Sequence, residues 1–472
     1  MKLTKFNSVV EALYPHEVEY LNQLQQFQDK DRQAIFERIL YNHRSVEQLS
    51  YDQEVDKRKY SAMISWIHTN LEKIDVDFFF EWLLKIEQGV NMDVVSQEDS
   101  VKLLGYLKQI NATSYHFIKF YELVISYRDY ILIRNMTQIY SQVKEYLQQY
   151  RKSYLEAKKT NERLNNATID IIEQHKSQEI TSIHWESFLM KTAKSKDLDG
   201  FTRYKAWVRL SYLYYNYKEY KKLEEVLRIF EEELKNTTNF YSPRILANHY
   251  NNKAMLYSKT HQYALAEQYA YYSIRKENPD YLLYVNNLCF VLLRQHKDKE
   301  AMQLMNGIDK QIKDTATMYN FIGYVALYLK TLSHNGFRKK ALQLAQVYVE
   351  SHRKEIFEYR WHIFFSTYFK ILLLEEQYTK IISLEKKYKL VEREQKHLIT
   401  GRFTPKILFY HLIARYAEGK IGEQELRQQL INAVDHFKKT DSSVYLITRL
   451  LGELQDFHSE LIMEVRGRLG AY

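Results

Sequence analysis

The sequence predicts an all-α chain, an α-solenoid of antiparallel helix pairs with an N-terminal helical region. Only 12 Gly and 4 Pro occur in 472 residues. Both residues punctuate strands and tight turns, so their scarcity favours long helices joined by short polar links. Hydrophobic residues make up 45% of the chain, which is enough to bury a large core and excludes a disordered chain. The third observation is a recurring pentapeptide. WVRLS (207–211), YNNKA (250–254), VNNLC (285–289) and YNFIG (319–323) each open on a large residue and close on a small one.

The last three blocks begin 35 and 34 residues apart, and Leu223, Ala266 and Ala301 each lie 12 positions after a block's small residue. These positions mark a second helix, reached through the turns NYKEY, KTHQY and RQHKD. Two helices approach closely where a small side chain lets the backbones meet and large neighbours fill the groove. Ser211, Ala254, Cys289 and Gly323 are therefore expected to be contact points between paired helices. Later units are stretched: Gly323 to Ala341 is 18 residues, and Ser366 to Ile381 is 15. One unit carries Tyr250, Ala254, Tyr257, Ala266 and Pro279, and the next Val285, Leu288, Cys289, Leu292 and Ala301. On those residues the array resembles the tetratricopeptide repeat. The match covers about two-fifths of the chain; only Trp207 stands at the Trp position and only Gly323 at the Gly position. The resemblance implies a curved superhelix, a fold that hosts many unrelated functions.

Ahead of the array, Pro15 permits a helix from His16 through EVEYLNQLQQF, followed by helices over Asp31 to Leu40 and Lys57 to Ile74. Tyr60, Ile64, Ile67 and Leu71 share one stripe of the last. Asp75 and Asp77 read as helix-start residues for FFFEWLLKI (78–86), an apolar stretch expected to be buried. Ser100 to Ile110 forms a short helix, and Tyr115 to Tyr154 has room for repeat-like pairs without consensus residues. SKDLDG (195–200) joins Gly, Asp and Ser as a linker. Past the array come a helix over Ile407 to Ala417, a turn at EGKIG and two further helices, with RGRLGAY frayed at the end. The resulting division is an N-terminal helical region 1–175, a connector 176–200, the repeat array 201–400 and capping helices 401–472.

Composition narrows the function classes. Cys289 is the one cysteine, which excludes an internal disulfide and a thiolate metal cluster, and its small-residue position gives it a packing role. The start lacks a continuous apolar run, and no stretch approaches the ~20 apolar residues of a membrane span. A soluble cytoplasmic protein is expected. The 41 Tyr suit a fold with much half-buried surface, their rings packing between helices while the hydroxyls stay wet. Lys+Arg and Asp+Glu number 26 and 29 over residues 1–200 but 42 and 30 over 201–472. The net charges of −3 and +12 bias the repeat half towards acidic partners.

No phosphate-binding glycine loop, HExxH or nucleophile elbow is present. His249, His261 and His296 fall on or near repeat turns without ligand spacing and carry surface or packing roles. No catalytic residue, cofactor or metal site is predicted. The expected function is a non-catalytic protein–protein interaction scaffold, an adaptor binding a peptide or protein partner in a concave groove. Asn251, Asn286 and Asn320 recur at one repeat position, with Asn252 and Asn287 beside two of them. The resemblance implies that this face of the first helix lines the groove, where an amide can donate to and accept from a peptide backbone. Lys205, Arg209, Lys259 and Arg294 fall on or near the same face and are candidates for engaging carboxylates. The competing account of the Asn series is that it caps or bridges neighbouring helices. An alternative function is a nucleic-acid-associated regulator using the basic repeat half, with a helix-turn-helix at Lys57, Arg58 and Lys59. A homodimer through exposed aromatics is a further candidate partner arrangement.

Overall fold

A computed structural model describes residues 3–45, 47–177, 181–236, 238–398, 404–437 and 441–469. Every regular element among them is a helix, and no strand occurs among the described residues. No helix among them is long and apolar enough to cross a membrane. The chain divides into two compact units, Met1–Asn278 and Pro279–Tyr472. The division falls within the stretch read as one array.

The first unit opens with α1 (Thr4–Glu11), α2 (Pro15–Leu24), α3 (Lys30–Arg44) and α4 (Lys57–Glu72). Asp29 and Asp56 start α3 and α4 by accepting hydrogen bonds from the first free backbone amides. The predicted stripe of α4 buries Tyr60, Ile67 and Leu71. A link of a dozen residues joins α3 to α4, far longer than the three- or four-residue turn of a helix-turn-helix. Lys59 is half-buried, and its ammonium lies 3.0 Å from Asp29 and 2.5 Å from Asp31.

Asp75 caps α5 (Val76–Asn91), and Ser96 caps α6 (Gln97–Leu107). FFFEWLLKI is amphipathic rather than wholly buried. Leu83 and Ile86 face the core, while Phe78 is 51% exposed and Leu84 43%. The aromatic run beyond makes α7 (Phe117–Ile133), packed on α5, and the 41-residue α8 (Thr137–Ser177). A 3-10 turn (Ile183–Trp185) and α9 (Glu186–Lys194) then lead to α10 (Gly200–Asn216), which packs on both α8 and α9. The SKDLDG segment is a packed corner, not a free linker. Asp199 is buried and accepts from the Thr202 amide at 2.9 Å. A Cβ on Gly200 would sit 2.9 Å from the Tyr115 ring, so only glycine fits. The unit closes with α11 (Tyr220–Asn236), α12 (Pro243–Lys259) and α13 (Tyr263–Ser273), each packed on the helix before it.

The second unit contains α14 (Tyr281–Arg294), α15 (Asp298–Asn306), α16 (Lys310–Thr315), α17 (Met318–His334) and α18 (Arg338–Ser351). A three-residue α19 (Arg353–Glu355) runs through a π-turn (Ile356–Arg360) into α20 (Trp361–Leu374). The remainder is α21 (Tyr378–Tyr388), α22 (Leu390–Leu398), α23 (Lys406–Ala417), α24 (Glu423–Phe437), α25 (Asp441–Leu454) and α26 (Ser459–Gly467). Three helices therefore follow the EGKIG turn, where two were expected. The chain's last three residues lie outside the described residues, and with them the end of the frayed segment. Four helices contact in series, α14 on α17, α17 on α20 and α20 on α23, while each also packs on the helix that follows it.

Eight turns between helices share one device. Asp93, Asn135, Lys218, His261, His296, Gly336, Glu376 and Gly419 all have φ between 54° and 84°. At each, the next residue's amide returns to a carbonyl five residues back, as in Lys297 N to Leu292 O at 3.0 Å and Phe337 N to Leu332 O at 2.9 Å. This closes the first helix and starts the second. Leu223, Ala266, Ala301, Ala341 and Ile381 follow five residues after Lys218, His261, His296, Gly336 and Glu376, and all five are buried. The register from turn to second helix is thus constant, and the stretching of later units belongs to the first helix alone. Ala254, Cys289 and Gly323 are buried, whereas Ser211 is half-buried. A Cβ on Gly323 would meet Asn286 at 3.5 Å and Arg360 at 3.8 Å, so its contact is with α14 and the π-turn, not with its own second helix.

Candidate functional site

Counting back from the left-handed residue gives the position that faces inward along the second unit. Six residues before His296, Gly336 and Glu376 stand Phe290, Lys330 and Lys370. All three line one cleft of about 430 Å³, together with Lys406 at the start of α23 and the carboxylates of Glu453 and Asp456. The stacking of α14, α17, α20 and α23 brings them there, since equivalent positions on contacting helices share a face.

The cleft is under-neutralised. Lys370 reaches Glu453 at 2.7 Å, and Arg449 stands 3.7 Å from the same carboxylate. Lys330 and Lys406 form no ion pair among the described residues. At the rim, Arg338 and His334 are paired with Glu375 and Asp298. Burial pushes the Lys330 ammonium down to about 8, with Lys406 and Lys370 pushing the same way. Burial also lowers Lys406. Burial would raise Glu453, but the lysines around it outweigh that and hold it below its usual range. Each lysine is therefore more costly to keep charged here than in water, and an added carboxylate would relieve that cost. Such a site can accommodate an anionic group; its walls of Phe290, Ala326, Leu327, Ile363 and Leu374 offer apolar contact.

The residues singled out from the sequence fall in several places. Asn251 and Asn252 belong to the first unit, and Asn286, Asn287 and Asn320 to the second. Asn251, Asn286 and Asn320 are buried, each 6% exposed. The Asn286 amide donates to the Asn320 carbonyl at 3.1 Å, bridging α14 to α17. Asn252 is half-buried and donates to Asn248 at 3.1 Å; Asn287 is half-buried too. Lys205 donates to Asn161 at 2.9 Å beside the Phe201 ring, and Arg209 donates to Thr168 at 2.8 Å. Both thus tie α10 to α8, and burial lowers the pKa of each. Lys259 lies 5.5 Å from the Tyr215 ring centre, and Arg294 4.3 Å from that of Phe290.

His249 lies in the body of α12, fully enclosed and 3.9 Å from Glu231, rather than near a turn. His261 and His296 are themselves the left-handed turn residues. Lys330, Lys370 and Lys406 escaped notice because the blocks were aligned on small residues; alignment on the turn puts Lys330 and Lys370 in one column. Among the described residues no group of three His, Cys, Asp or Glu side chains is placed to hold a metal ion. Comparison with known proteins finds no matching family model, no matching curated protein and no matching solved structure.

Proposed function

We propose that the chain is a non-catalytic binding scaffold of tetratricopeptide-like helix pairs. On this reading α14 with α15, α17 with α18, α20 with α21 and α23 with α24 are successive antiparallel pairs of a solenoid in the second unit. The partner is an acidic protein segment whose carboxylates enter the lysine cleft. One observation carries the reading: Lys330 and Lys406 form no ion pair among the described residues, although Glu453 and Asp456 line the same cleft. A chain gains no stability from such an arrangement, so a bound anion is the economical account of it. The role is binding, since the cleft's lysines outnumber its two carboxylates, Glu453 and Asp456. Asn286 serves this function by donating to the Asn320 carbonyl, which ties α14 to α17.

Binding of a fluorescein-labelled hexaglutamate peptide to the full chain, followed by anisotropy, tests the proposal. Lys330→Met with Lys406→Met is expected to weaken binding at least tenfold, because each charge-assisted hydrogen bond contributes about 1.5–3 kcal/mol. Equal affinity for the native chain and the double variant overturns it.

A further inference from the structure

A second recess in the Pro279–Tyr472 unit has a different chemistry. It measures about 660 Å³ and is lined by Arg353, Lys387, Lys389, Arg393 and Lys396 around Phe357, Trp361 and Tyr388. Glu392 is the one acid among the lining residues, and Lys396 pairs with it at 2.8 Å. That leaves Arg353, Lys387, Lys389 and Arg393 without an ion-pair partner among the described residues. The aromatic rings are interleaved with these cations. The Arg393 guanidinium stands 4.9 Å from the Phe357 ring centre, Lys387 5.1 Å from that of Tyr388, and the two rings are 5.4 Å apart.

The walls of the recess are pinned in place. Fully buried Glu394 accepts from His362 on α20 at 2.6 Å and from the Ile407 and Leu408 amides of α23 at 3.1 and 2.8 Å. One carboxylate therefore ties α22 to α20 and α23. Lys389 adopts φ 50° at the corner between α21 and α22, a conformation that costs a non-glycine residue about 1 kcal/mol. The π-turn Ile356–Arg360 supplies Phe357 to the same recess, and single π-turns within helices recur at functional sites.

We propose that this recess binds single-stranded nucleic acid. Unpaired cations at the rim suit successive phosphates, and the ring faces among them suit unstacked bases, which a duplex keeps hidden. An acidic protein would use the cations alone, whereas a base also meets the half-buried rings of Phe357, Trp361 and Tyr388. The site is separate from the lysine cleft, and the proposal does not depend on the function assigned to that cleft.

The test is anisotropy of a fluorescein-labelled dT12 strand with the full chain. Binding through about three phosphates makes log K fall with log[salt] at a slope near −2, a loss of about a hundredfold per tenfold rise in salt. The triple variant Lys387→Gln, Lys389→Gln, Arg393→Gln is expected to abolish binding, and Trp361→Leu, which retains the charges, to weaken it about tenfold. Both variants leave hexaglutamate binding at the lysine cleft intact, which separates this inference from the scaffold reading. Three results each overturn the proposal: no dT12 binding at low salt, binding unchanged in a folded triple variant, or hexaglutamate displacing dT12 from the recess. Should the triple variant fail to fold, undiminished binding by Trp361→Leu overturns it as well.

Discussion

Glu17 in the first unit and the lysine cleft in the second are both charged groups withdrawn from water, and they resolve that situation in opposite ways. Glu17 is fully buried and saturated. It accepts from the Tyr14 amide at 2.8 Å, from the Tyr241 hydroxyl at 2.6 Å and from Lys276 at 2.6 and 2.8 Å. Nearby, Arg275 donates to the Leu13 carbonyl, and His16 pairs with the Tyr250 hydroxyl at 2.6 Å. Together these contacts dock α2 onto the 241–276 segment. The cleft instead sets three ammonium groups against Glu453 and leaves two of them unanswered. A saturated buried charge fixes one fold; an incompletely paired group of charges leaves room for a ligand. The first is expected to give up stability on mutation, the second to gain it.

The largest effect breaks the first side of the comparison. Glu17→Ala strands Lys276 and the Tyr241 hydroxyl together, so a loss of about 3–5 kcal/mol is expected in chemical denaturation of the full chain. The cleft should answer oppositely. Lys330→Met removes a desolvated ammonium and is expected to stabilise by about 1–3 kcal/mol while lowering peptide affinity. The pH dependence has the same origin. With its folded pKa near 8 and an unfolded value of about 10.4, Lys330 destabilises fully below pH 8. That penalty is relieved as pH rises from 8 towards 10.4, because the unfolded state then holds the extra proton. Calorimetry of the native chain against Lys330→Met should show the stability gap closing over that window.

Smaller effects concern the frame that holds the cleft. Asn286→Ala leaves the Asn320 carbonyl without its buried donor and is expected to cost about 1–2 kcal/mol. Glycine at Lys218, His261, His296 or Glu376 removes the left-handed penalty and should stabilise by about 0.5–1 kcal/mol each. Thermal denaturation of the single variants checks both.

These turns also explain how far the sequence could be read. The all-helical class and the second-helix positions from Leu223 to Ile381 were legible, because apolar spacing and small residues report packing directly. The turn residue sits at the centre of NYKEY, KTHQY and RQHKD, but left-handed backbone was not legible there. Lys and His do not announce positive φ as glycine does, and only Gly336 and Gly419 carry the usual signal in this series. Without that register the stretching of the later units has no address in the first helix, and Lys330 and Lys370 do not share a column. The Asn series drew attention because it recurs, but at Asn286 recurrence reflects the repeated need to join neighbouring first helices. Glu17 was invisible for another reason: its partners Tyr241 and Lys276 lie more than two hundred residues away.

The most direct test is the titration of Lys330 itself, read by NMR of the full chain with 13C-dimethylated lysines, its signal assigned through Lys330→Arg. The account predicts a midpoint near 8 in the free protein that moves upward when hexaglutamate is added. A midpoint near 10.4 that the peptide leaves unmoved would contradict it.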